Sequence, residues 1–237
     1  MRVRAICCEI IFREACLVAA NSPLIVDFDF LRKGLHNLGS DKMRTEIQKA
    51  VDAVDPERYE ATLLGYALCG NGIGGLTART LPVVVPRAHD CITLFLGSRQ
   101  RYLDYFNSHP GVYFKTTGWI ERGKNLHMLD RQMTFSYDEL VAKYGEDDAR
   151  YLYEELTKHY RQFTYIEMGV EPDGSFEREA REEATQRGWA FEKVQGDLRL
   201  FRGLVDGKWE EQDFLVVQPG QRIVVKLDNG IIAAENA

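Results

Sequence analysis

Along the first hundred residues, compact apolar runs alternate with segments whose apolar side chains recur every three or four positions. VRAICCEII (residues 3–11) and LIVDFDFL (24–31) have the length of strands. The first is nearly continuous, as expected where both faces are covered. Between Asp41 and Val54, the side chains of Met43, Ile47, Ala50, Val51 and Val54 fall on one helical face, with Ser40 or Asp41 placed as cap. ATLLGYALCG (61–70) and LPVVVP (81–86) read as further strands, the latter bounded by prolines that suit strand ends. The glycine run after residue 69 is expected to open a short helix. A buried helix is expected from Cys91 to Phe106, through Ile92, Phe95, Leu96, Leu103 and Phe106. Strands separated by helices imply right-handed crossovers and a mainly parallel sheet.

Beyond residue 110 the pattern changes. GVYFKTTGWIERG (111–123) predicts a strand, and Ser136 with Glu139 has capping-box spacing at the head of a helical region reaching about Gln162. FTYIEMG (163–169) reads as a strand and Ser175–Arg187 as a charged helix. AFEKV, DLRLFRGLV and DFLVV supply strands or short helices, and a Pro219–Gly220 turn precedes the strand QRIVVKL. The expected fold class is α/β: a mainly parallel sheet with helices on both faces, in two lobes with a cleft. Residues 1–110 form the first α/β lobe. Residues 111–237 form a second lobe or a continuation of the same domain.

Composition narrows the function. The 237 residues are 45% hydrophobic and 28% charged, enough for a sizeable core. A net charge of −6 gives no electrostatic ground for nucleic-acid binding. No apolar run is long enough to span a membrane. At the start, MRVRAICCEIIFREAC places basic residues before apolar ones, as a secretion signal would. Glu9 and Arg13 interrupt it and no cleavage pattern follows, so it reads as the first strand. The odd count of 5 cysteines, with no short-spaced disulfide framework, points to a reducing cytoplasm, where clustered cysteines mean metal or catalysis more often than staples.

In a parallel sheet the strands end at one edge, and ligands bind beyond it. Cys8 and Glu9 end the first strand, His36 follows the second, Cys69 ends the third, and Arg87, His89, Asp90 and Cys91 follow the fourth. Zinc is the simplest occupant of such an edge, with Cys8, Cys69, His89, Cys91 and His36 as candidate ligands. Cuprous copper or an iron–sulfur cluster also uses thiolates. Asp90 and Glu9 are the candidate acid/base or orienting groups. The bland alternative is that strand cysteines are inert fillers, and for Cys7 and Cys16 that reading is preferred. Cys91, at the head of a helix with His89 as base, is also a candidate nucleophile. Gly70, Gly72 and Gly75 match G-x-G-x-x-G, a weak dinucleotide signal on a third strand. With Asn71 they more readily form a turn whose N–H groups hold an anion, helped by Arg99. Tyr66 and Trp119 are candidates to line the pocket, or simply core.

At YALCGNGIGGL, PRAHDCITLFLGSRQRY and GWIE the chain resembles a conserved bacterial and archaeal domain-of-unknown-function family, number 1638. That family carries YxLCGNG, PRAHDCITLLLGS and PGxYxxxxGWIE blocks. The resemblance extends to Cys8–Glu9, the GLH at His36, YGEDDARY (144–151) and FLVVQPG. It implies company with corrinoid-dependent methyltransferase systems and one-carbon enzymes, and names no reaction. The expected function is therefore a zinc-dependent enzyme of one-carbon metabolism, a methyltransferase or demethylase linked to a corrinoid or folate. Its partners would be a small-molecule substrate and a corrinoid protein, with no nucleic acid or membrane; a homo-oligomer is compatible. The alternatives are a non-catalytic metal- or corrinoid-binding accessory protein and a cysteine-nucleophile enzyme using Cys91.

Overall fold

The N-terminal apolar run becomes β1 (Arg2–Cys8), a 3-10 turn (Glu9–Ile11) and α1 (Phe12–Ala19). The computed structural model describes residues 1–123, 137–228 and 230–237. The chain continues through β2 (Ile25–Leu31), a 3-10 turn (Lys33–Leu38), α2 (Ser40–Asp52) and β3 (Ala61–Gly65). After β4 (Thr77–Ala78) and β5 (Val83–Pro86) come α3 (Cys91–Leu96) and α4 (Arg99–Ser108). The single helix expected over 91–106 is thus two. Gly97 breaks it in the left-handed region (φ 73°), where a Cβ would stand 2.6 Å from that of Asp197.

A second parallel run follows: β6 (Val112–Thr116), α5 (Thr117–Gly123), α6 (Tyr137–Tyr144), α7 (Glu146–Thr157), β7 (Gln162–Glu167), α8 (Ser175–Arg187) and β8 (Ala190–Gln195). The strand expected over 111–123 therefore stops at Thr116 and turns into a helix. Ser136, the expected cap, lies outside the described residues. The chain ends with α9 (Arg199–Val205), β9 (Phe214–Val217), β10 (Gln221–Val225) and β11 (Ile232–Asn236).

The fold is mixed α/β. The main sheet has the order β2-β1-β3-β5-β9, parallel except for β9, and β6-β7-β8 form a parallel sheet. A small antiparallel sheet joins β11, β10 and β4. From β1 the chain crosses to β2 on one side, then returns past β1 to β3 on the other. Right-handed crossovers in opposite directions put α1 and α2 on opposite faces. α9 packs against α1 and so shares its face. α9 and β9 thus return to the main sheet, and the parallel three-stranded sheet is built within residues 112–195.

One core joins the two sheets. Val3, Ala5, Ile6, Leu63, Leu64 and Val83–Val85 are fully buried, and Ile166 and Met168 of the second sheet belong to the same cluster. Among the described residues, Ile120, Tyr165 and Ala180 form a separate small core, with Phe176 and Phe191 against it.

Candidate functional site

The order β2-β1-β3 makes the carboxyl ends of β1 and β3 a topological switch point, where the crossovers diverge and leave a crevice. Cys8 closes β1 and is 3% exposed. Cys69 lies just beyond β3 with φ +45°, a left-handed conformation that costs a non-glycine residue about 1 kcal/mol or more. Its N–H donates to the His89 carbonyl (2.9 Å), and that of Leu68 to Ala88 (2.9 Å), so the exits of β3 and β5 are tied together. Cys91 begins α3, buried. His36, on the turn after β2, brings Nε2 to 3.7 Å from Cys8 Sγ.

The sulfurs sense one another. Burial pushes the Cys8 thiol up to about 12, and the neighbouring Cys91 adds to this. Burial likewise takes Cys69 up to about 12, with Cys8 contributing. Cys91 is raised by burial and then by Cys69. Burial and the nearby Lys33 lower His36, which leaves a neutral imidazole at pH 7. The Tyr66 hydroxyl is buried with no hydrogen-bond partner among the described residues, and Cys8, Cys7 and Cys69 all act on it. A buried hydroxyl without a partner costs about 1–3 kcal/mol.

Trp119 forms the wall. It lies close enough to Cys91 to act on that thiol, its ring lies 5.8 Å from that of His36, and Lys33 Nζ sits 4.5 Å from the ring centroid. The neighbouring Gly118 fixes this placement, since a Cβ there would stand 1.6 Å from the Ile10 carbonyl oxygen. α5 is thereby seated on the turn that follows Cys8.

The other candidates are placed differently. His89 is exposed, and only its carbonyl reaches Cys69. The Glu9 carboxylate accepts from the Lys33 N–H at 2.8 Å, which holds the turn carrying His36. Asp90 caps α3 by accepting from Ile92 and Thr93, and it accepts from the Tyr102 hydroxyl at 3.0 Å. Both acids therefore organise the site's loops. Arg99 donates to the Gln212 carbonyl, among the C-terminal segments. Cys7 packs against Gly65, whose Cβ would lie 2.4 Å from its sulfur, and Cys16 stands half-buried on α1.

The glycine run does not open a helix. Gly70, Asn71 and Gly75 take φ +66°, +70° and +86°, which a helix cannot accommodate, and β4 follows. The N–H groups of Gly72, Gly74 and Gly75 donate to Leu68, Asn71 and Ile223. A Cβ at Gly72 would meet Met43 sulfur at 2.3 Å, so that glycine serves close packing on α2. Of the residues expected to hold an anion, Gly72 and Gly75 thus spend their N–H groups within the fold.

Among the described residues, no three His, Cys, Asp or Glu side chains stand close enough together as placed to hold a metal ion. The donors are right in kind: buried thiols, a neutral imidazole and an orphaned hydroxyl at one sheet edge. A shallow depression elsewhere, lined by Ser98, Gln100, Arg101, Asp104, Tyr105 and Ser108, includes none of them. Sequence reasoning missed Lys33, 6% exposed and inside the site. A lysine directly after a strand whose edge carries thiols was the available signal.

Fold and site together define a doubly wound α/β protein with a buried thiol–imidazole crevice. The chain belongs to the family described as "Protein of unknown function (DUF1638)", which it matches over residues 30–205. His36, Cys69 and Cys91 lie inside that span, Cys8 and Glu9 outside it. No curated protein and no solved structure matches the chain. No helix among the described residues is long and apolar enough to cross a membrane.

Proposed function

We propose that this protein is a zinc-dependent enzyme of one-carbon metabolism, with Cys8, Cys69 and Cys91 as the metal ligands. The observation that carries the reading is the arrival of three thiols, two buried and one half-buried, at the switch point from three separate connections. Buried thiols that raise one another's pKa favour deprotonation only when a cation joins them. Three protein ligands leave a fourth position open, as in catalytic zinc sites. His36, against Cys8, orients that thiolate, and the Tyr66 hydroxyl faces the group that fills the open position. Zinc there would lower the pKa of a substrate thiol, alcohol or water. His89, being exposed, is replaced in the ligand set by Cys8. The one-carbon element, with a corrinoid or folate partner system, rests on the family resemblance.

The cysteine-nucleophile reading is disfavoured by the raised thiol of Cys91, since the thiolate is the nucleophile. The test is metal analysis and X-ray absorption on protein purified without chelator. One zinc per chain is expected, with three sulfur ligands and one light atom. Cys69→Ser is expected to lose the metal while keeping its far-ultraviolet circular dichroism. A metal-free wild-type protein, or stoichiometric zinc retained by C69S, overturns the assignment. A shell of four protein ligands would make the protein an accessory factor instead.

A further inference from the structure

Lys33 is a buried ammonium with no ion pair among the described residues. Nζ donates to the Trp119 carbonyl at 3.2 Å and lies over the Trp119 ring. The carboxylate of Glu9 is turned to the Lys33 backbone instead. A second ammonium, Lys115, repels it, and Lys115 has its own partner in Glu183 at 2.7 Å. A buried charge normally has an ion partner, because desolvation otherwise costs several kcal/mol.

A Cβ on Gly123 would stand 3.3 Å from Nζ, so the glycine keeps that flank free of a side chain. Trp119 is shared: Lys33 lies on its ring, His36 stacks obliquely beside it, and Cys91 lies near it. A molecule anchored at Nζ would therefore have its other end along the same wall, toward the thiols.

We propose that Lys33 binds the oxyanion of a small-molecule substrate, a carboxylate or a phosphate, and so orients the rest of that molecule toward Cys8, Cys69 and Cys91. The proposal shares the reading of this crevice as the substrate site but does not depend on the metal.

The test is calorimetric titration of the full chain with inorganic phosphate and, separately, with acetate, at fixed ionic strength. Wild type is expected to bind at least one of them saturably, and the preferred one identifies the oxyanion. Lys33→Met is expected to weaken binding about tenfold or more, the scale of a lost charge-assisted hydrogen bond. Lys33→Arg should largely restore it. Lys33→Met removes an unpaired buried charge and should melt no lower than wild type, so weak binding by it cannot be blamed on unfolding. Cys69→Ser should lose zinc and keep the anion, which separates the two proposals. Absence of saturable binding of either anion to wild type, or undiminished binding to K33M, overturns the assignment.

Discussion

Glu14 is a buried carboxylate left without a hydrogen-bond partner among the described residues. It sits on α1 and is 1% exposed. Burial pushes its carboxyl from the ordinary 4.5 up to about 7, and the nearby Glu171 adds to the effect. The folded state thus holds this proton more tightly than the unfolded chain does. Below pH 4.5 both states are protonated and no penalty exists; stability is lost as pH rises from about 4.5 to about 7. At full ionisation the loss is about 3 kcal/mol. Urea unfolding at pH 5 and pH 8 measures it: wild type should weaken between the two, and Glu14→Gln should remove that difference. An unchanged pH dependence in E14Q would show that Glu14 is ionised at no cost. Such a residue is invisible to sequence reasoning, because an acid on a short helix next to Arg13 looks solvated. Here Arg13 pairs with Glu121 instead, at 2.9 Å.

Elements with strong local patterns were legible: β1, β2, β3 and β5 as apolar runs, and α8 as a charged helix over the span read from sequence. α5 was not. The segment after Thr116 reads like a strand, and its helical form packs against the turn at Ile10, more than a hundred residues earlier, which the sequence pattern does not show. The site was legible as an edge carrying Cys8, His36, Cys69 and Cys91, since strand ends follow from the pattern. Which histidine turned inward was not, because His36 and His89 both occupy loops and differ only in tertiary burial. Gly118→Ala tests the α5 seat. The added Cβ has no room against backbone, so it should cost about 2 kcal/mol or more. It should also swing Trp119 off Cys91, shifting tryptophan fluorescence and speeding alkylation of that thiol. Normal stability with unchanged fluorescence would mean that α5 is not held by this contact.

At the scale of the molecule, the two parallel sheets differ in how they are supported. The main sheet is buried through its centre, whereas β8 is half-buried to exposed and α8 covers only the small core of Ile120, Tyr165 and Ala180. Hydrogen exchange followed by mass spectrometry should therefore show β8 and α8 opening below the free energy of global unfolding, with β1 and β3 exchanging last. Exchange of both sheets in a single step would show instead that the shared core through Ile166 and Met168 couples them fully.

The return of β9 to β5 carries a further consequence, in time. Val83 pairs with Val217, so the main sheet cannot be completed until a segment well over a hundred residues later has been synthesised. Pairings this distant are slow to form. During translation β1, β2 and β3 can associate early, but the α9 side that closes over α1 is still missing. Cys8, Cys69 and Cys91 then meet solvent before the crevice around them is shut. Whatever the mature site holds has its widest way in while the chain is still on the ribosome.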